Sequence, residues 1–138
     1  QSRVMTPDLT AHPGVLGVGI DLIEIDRIRS SLGQHEERFL EKVFTDHERE
    51  YCSGMADPAP HYAARFAAKE AISKAFCVGI GEEFGWKDAG IRNGARGEPV
   101  VQLTDKGSSL LAELGGREIL VSLSHLSSIA MAVAIIKS

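Results

Sequence analysis

The sequence predicts an α+β domain whose sheet is mostly antiparallel, and three observations carry that prediction. Short apolar runs and amphipathic stretches are mixed without the strict alternation that a parallel sheet requires. The turn Asn93-Gly94-Ala95-Arg96-Gly97 separates two such runs at hairpin spacing, and two further runs close the chain. With 138 residues, 43% of them hydrophobic and 25% charged, the chain suffices for one packed core.

Each element follows from local pattern. Val15-Leu16-Gly17-Val18-Gly19-Ile20 reads as a buried strand that ends at the carboxylate of Asp21, with glycines marking close backbone approach. From Asp26 the period becomes helical, with Ile25, Ile28 and Leu32 on one side, Gly33 as the stop, and a further turn or two carrying Phe39, Leu40 and Val43. Thr45-Asp46-His47-Glu48 is a capping box that opens a helix ending near Gly54. Asp57-Pro58-Ala59-Pro60 reads as a rigid loop before a helix over His61–Phe76, which Gly79 and Gly81 terminate. Strands are expected over Trp86–Arg92 and Pro99–Leu103, then a helix from a Thr104 cap to Leu114. Gly115-Gly116 leads into strands over Ile119–Ser124 and Ile129–Ile136.

Residues 5–138 are expected to form a single domain, and residues 1–4, which precede Met5 and carry no structural period, read as an expression remnant. A net charge of −4 argues against sequence-independent nucleic-acid binding. The longest apolar run, Ile129–Ile136, is eight residues, too short to cross a membrane. Cys52 and Cys77 show neither zinc spacing nor a disulfide framework, so a cytoplasmic protein with two ordinary thiols is expected.

The segment Tyr62–Phe76 holds six alanines, and its larger residues fall on several sides of a helix, the pattern of a buried helix. Charges there are costly unless paired or bound to a ligand, and it carries Arg65, Lys69, Glu70 and Lys74. Glu70 and Lys74, four apart, read equally as a surface ion pair and as a functional pair. Asp21 reads as a helix cap, a surface carboxylate or a metal ligand. With Glu70 across a cleft it would suit Mg²⁺, which takes one or two carboxylates and completes its shell with phosphates and water. His125, flanked by Ser122 and Ser124, reads as a hydrogen-bonded structural residue or as a catalyst. No G-x-S-x-G elbow and no G-x-G-x-x-G fingerprint is present.

Taken together, Gly19-Ile20-Asp21 with Arg27, Phe44-Thr45-x-x-Glu48-x-x-Tyr51, Arg65-Phe66-Ala67-Ala68-Lys69-Glu70-Ala71-x-x-Lys74-Ala75, and Ser122-Leu123-Ser124-His125 resemble a known motif series. It is that of the holo-[acyl-carrier-protein] synthases, the small trimeric class of 4′-phosphopantetheinyl transferases. The resemblance runs from about Leu16 to the C-terminus. It implies that family's fold and an Mg²⁺-dependent transfer of 4′-phosphopantetheine from coenzyme A to a serine of apo acyl carrier protein. Adenosine 3′,5′-bisphosphate is released, as in fatty acid biosynthesis. The competing reading is a non-catalytic module that binds a carrier protein or a nucleotide, against which the intact Asp21, Glu70 and Lys74 speak.

The resemblance also implies roles. Asp21 and Glu70 would bind Mg²⁺ with the coenzyme A pyrophosphate, Lys74 would face a phosphate oxygen, and Glu70, directly or through a water, would be the base. Arg65 and His125 match positions near the 3′-phosphate, and Gly79, Gly81 and Pro99 match the surroundings of the nucleotide. Arg27 and Arg38 would meet the acidic carrier protein. Arg65 projects about 140° away from Glu70 on one helix at 3.6 residues per turn. A homotrimer with active sites between subunits, which the family implies, would remove that difficulty. Two departures stand out: Cys77 where the family commonly has glycine, and Leu126 where threonine is usual.

Overall fold

Residues 5–138 are described by a computed structural model; the expectation for residues 1–4 lies outside the described residues. The chain runs β1 (Val15–Glu24), α1 (Ile25–Val43), α2 (Asp46–Ser53), α3 (Pro58–Ala75), β2 (Ala89–Asn93), β3 (Pro99–Leu103), α4 (Asp105–Glu113), β4 (Glu118–His125) and β5 (Ile129–Lys137). One antiparallel sheet has the order β1-β5-β4, and β2-β3 forms a separate antiparallel hairpin. The α+β class and the antiparallel pairing are as the sequence predicts.

Small residues set the architecture. Gly17 and Gly19 alternate onto the buried face of β1, and Ala130, Ala132 and Ala134 do the same on β5. Helix α3 presents Ala67, Ala68, Ala71 and Ala75 to the core. With no bulk on either side, α3 lies directly on the sheet: a β-carbon at Gly17 would overlap the carbonyl of Ala75, and one at Gly19 the carbonyl of Ala71. Larger residues close the ends, with Phe44, Tyr62, Phe76 and Phe84 buried around α3.

Four boundaries differ from expectation, each for a physical reason. Strand β1 does not end at Asp21 but pairs with β5 as far as Glu24↔Ile129, so Asp21 lies within the strand, opposite Ala132. Helix α1 passes through Gly33 and is interrupted at His35 (φ −142°, ψ 48°), because burial of Leu40 and Val43 recovers the cost of a mid-helix glycine. Pro58 and Pro60 belong to the first turn of α3, where the missing amide hydrogen costs nothing and the fixed φ is already helical. Strand β2 begins at Ala89 rather than Trp86, since Trp86 and Lys87 form a turn closed by the Asp88 amide donating to the Gly85 carbonyl at 3.1 Å.

The end of α3 explains the first departure from the family. The Val78 amide donates to the Ser73 carbonyl (3.1 Å) and the Cys77 amide to the Lys74 carbonyl (2.9 Å), the double bond of a left-handed helix cap. Cys77 holds the left-handed position at φ 61°, which glycine adopts without steric cost. Gly79 and Gly81, expected to stop the helix, lie beyond this cap.

Candidate active site

The glycine-alanine contact aligns the acidic pair. Asp21 follows Gly17 and Gly19 on the inward face of β1, so it meets α3 where Glu70 and Lys74 project beside Ala71. Asp21 and Glu70 are 4% and 5% exposed, too buried to be ordinary surface carboxylates. Lys74 donates from Nζ to Asp21 Oδ1 at 2.7 Å and to the Ile20 carbonyl at 3.2 Å. Burial pushes the Glu70 carboxyl up from its ordinary range, the neighbouring Asp21 charge pushes it further, and Lys74 opposes both.

Two buried hard oxygen donors, the charge of one raising the pKa of the other, form a donor set that suits a small divalent cation. Among the described residues no group of three or more His, Cys, Asp or Glu gathers as a cage, so an ion held by Asp21 and Glu70 would take its other ligands from substrate and water.

Arg65 occupies a second site on another side of α3, as its angular separation from Glu70 predicts. Its Nη1 donates to the His61 carbonyl (3.3 Å), its Nη2 reaches Asn93 Oδ1 (3.5 Å), and its guanidinium lies 4.4 Å from the Tyr51 ring centroid. It lines a cavity of about 260 Å³ together with Tyr51, His61, Pro99, Ser124 and His125. Arg65, Pro99 and His125 therefore come together, while Asp21, Glu70 and Lys74 form a distinct cluster in the same chain. Gly79 and Gly81 line neither; they sit in the loop after α3, where the Gly81 amide donates to the Phe84 carbonyl at 2.9 Å.

The sequence flagged the cost of burying Lys69 but not its partner. Lys69 Nζ contacts Glu48 Oε1 at 2.9 Å with both side chains fully buried, and donates to the carbonyls of Trp86 (2.9 Å) and Ala89 (2.8 Å). Glu48 also accepts from the amides of Thr45 (2.8 Å) and Ile91 (2.7 Å), so the predicted capping box doubles as the anion of a core ion pair. This clamp ties α2, α3 and β2 together one residue before Glu70. Burial pulls the Lys69 pKa down and the Glu48 carboxylate pulls it back.

On α1 the arginines divide. Arg29 is held by Asp57 through two hydrogen bonds of 2.8 and 2.7 Å and faces a groove that also contains Glu36 and Glu37. Arg27 and Arg38 line a different groove, shared with His35, Phe39 and Lys42 and free of acidic lining residues. Lys42 is thus a basic neighbour that the sequence reading did not single out, although it lies four residues from Arg38.

The model of the 4′-phosphopantetheinyl transferase superfamily matches residues 17–134. A holo-[acyl-carrier-protein] synthase of Chlamydia trachomatis serovar L2 is 47% identical over 121 residues, covering 88% of this chain and 98% of that protein. Another from Geobacter metallireducens is 40% identical over 123 residues, covering 89% and 98%. The crystal structure of holo-[acyl-carrier-protein] synthase from Neisseria meningitidis superposes with a TM-score of 0.83 at 27% identity, over 90% of this chain and 99% of that one. The Helicobacter pylori enzyme in complex with coenzyme A gives 0.78 at 29% identity, over 87% and 99%. By sequence match and fold, this chain belongs to the 4′-phosphopantetheinyl transferase superfamily, among the holo-[acyl-carrier-protein] synthases.

Proposed function

We propose that this protein transfers the 4′-phosphopantetheine group of coenzyme A to a serine of an apo acyl carrier protein, releasing adenosine 3′,5′-bisphosphate. The observation that carries the reading is the convergence of buried Asp21 and Glu70 with Lys74, set by the contact of Gly17 and Gly19 with α3. The donor set fits Mg²⁺, with Asp21 and Glu70 as its protein ligands. When bound, Mg²⁺ neutralises pyrophosphate charge and orients it for displacement.

The chain's own residues supply the rest. Phosphoryl transfer depends mainly on positioning and charge stabilisation. Lys74, whose Nζ lies at the rim of the acid pair, neutralises a pyrophosphate oxygen as the bridge to the leaving nucleotide breaks. Glu70, whose burial favours holding a proton, accepts the proton of the attacking serine through a water. Arg65 and His125 bind the 3′-phosphate, with Pro99 in the wall of the same cavity; the loop of Gly79 and Gly81 lies outside that cavity and meets the nucleotide only as the family resemblance implies.

Because the Arg65 cavity and the acid pair lie on different sides of α3, one coenzyme A is served by two subunits. The homotrimer expected of the family provides this arrangement. The sheet face turned away from α3 supports it, since Ile20, Leu22 and Leu120 are exposed there. The groove of Arg27, Arg38 and Lys42 steers the acidic carrier protein. Free thiols at Cys52 and Cys77 accord with a cytoplasmic setting, and no helix among the described residues is long and apolar enough to cross a membrane.

The test is incubation of apo acyl carrier protein with coenzyme A, Mg²⁺ and this protein, following the nucleotide released. Stoichiometric adenosine 3′,5′-bisphosphate supports the transferase reading. Tight coenzyme A or carrier binding with no release would instead establish a non-catalytic module.

A further inference from the structure

We propose that His61 is a further phosphate-binding group of the Arg65 cavity, which takes up a proton from solvent when a phosphate monoester enters. The inference rests on the reading above that this cavity receives the 3′-phosphate of coenzyme A.

The geometry supplies the argument. The His61 ring faces the His125 ring edge-on with centroids 5.7 Å apart, and stands 6.2 Å from the Tyr51 ring. Arg65 lies one turn further along the same helix, and no carboxylate lines the cavity. Arg65 is 4% exposed, and its Nε has no hydrogen-bond partner among the described residues. Its other nitrogens make only long contacts of 3.3 and 3.5 Å. A buried guanidinium so poorly satisfied, beside two imidazoles, is arranged for an anion with several acceptor oxygens.

Electrostatics assign His61 its proton behaviour. Burial, then His125, then Arg65 push the His61 pKa below its ordinary value, and only Asp57 opposes them. The groups that face the ring are thus Tyr51 of α2, Asp57 before α3, Arg65 of α3 and His125 of β4. A phosphate dianion reverses the balance: it counters the neighbouring Arg65 charge and favours imidazolium at His61. Dephospho-coenzyme A, which lacks that charge, has no such effect, so His61 discriminates between the two ligands.

The experiment is calorimetric titration of the whole protein with coenzyme A and with dephospho-coenzyme A, in Mg²⁺, in two buffers of different ionisation enthalpy. Mildly alkaline pH keeps the phosphate mostly dianionic, since its second pKa is about 6. Wild type should take up protons on binding coenzyme A and not on binding the dephospho form. His61→Gln should take up fewer and bind coenzyme A about tenfold more weakly, the low end for a hydrogen bond to a charged group, with dephospho-coenzyme A unaffected. A second readout needs no variant: the His61 ring titration followed by NMR in wild type should move to higher pH when coenzyme A is added. Unchanged proton uptake and affinity in folded His61→Gln, or a ring titration that does not move, would overturn the inference while leaving the transferase reading intact. Failure of wild type to bind coenzyme A at all would remove both.

Discussion

Replacing Lys69 by methionine should cost about 3–5 kcal/mol of folding stability, the range for removing one partner of a buried ion pair. The structure places the variant in that range. Without the ammonium group, the Glu48 carboxylate stays in the core with only the amides of Thr45 and Ile91, and the Trp86 and Ala89 carbonyls lose their donor. Against a total of roughly 5–15 kcal/mol for a typical domain, this is about a fifth or more. Urea unfolding, followed by the single tryptophan, Trp86, reads the effect directly. With a slope of about 2 kcal/mol/M the midpoint should fall by roughly 1.5–2.5 M. The double variant Glu48→Gln/Lys69→Met should be less destabilised than the sum of its parts by at least about 1 kcal/mol, because the two side chains share one interaction. A loss in Lys69→Met below about 1 kcal/mol, or strictly additive costs, would refute the assignment of this pair as the clamp holding α2, α3 and β2 together.

Three further outcomes are expected. Glu70 has a raised pKa in the folded protein, so its contribution to stability is present at acid pH and lost as pH rises through that folded pKa. Metal-free wild type should therefore lose stability relative to Glu70→Gln between acid and neutral pH in thermal melts, and Mg²⁺ should close the gap; parallel curves would contradict this. Arg27→Glu should raise the KM for the carrier protein and weaken its salt dependence, whereas Arg29→Ala, whose guanidinium is engaged by Asp57, should change neither. Cys77→Gly should stabilise by about 0.5–1 kcal/mol in urea unfolding, since the left-handed position penalises a β-carbon by more than glycine costs in the unfolded chain.

Much of this was legible in residue pattern because the decisive contacts are between small residues. Gly17, Gly19 and the alanines of α3 announce that a helix and a strand approach closely, and that approach brings Asp21 to Glu70 and Lys74. What the pattern concealed is long-range or backbone-mediated. Lys69 finds its partners at Glu48 and at two carbonyls beyond the helix. The α3 prolines read as loop residues, although the first turn of a helix tolerates them. His61 gave no periodic signal, and only the folding of β4 beside the start of α3 shows it facing His125. Motif resemblance pointed to Arg65 and His125 as neighbours of one ligand; the structure adds that they share a cavity that the acid pair of the same chain does not line.

The most direct measurement is the intact mass of apo acyl carrier protein after incubation with coenzyme A, Mg²⁺ and, in parallel, wild type, Asp21→Ala and Glu70→Ala. Circular dichroism establishes beforehand that all three are folded. Wild type should add one phosphopantetheine per carrier, and both variants should add none on the same timescale. Wild-type-like addition by the two variants would contradict the assignment of Asp21 and Glu70 as the acid pair at the centre of the reaction.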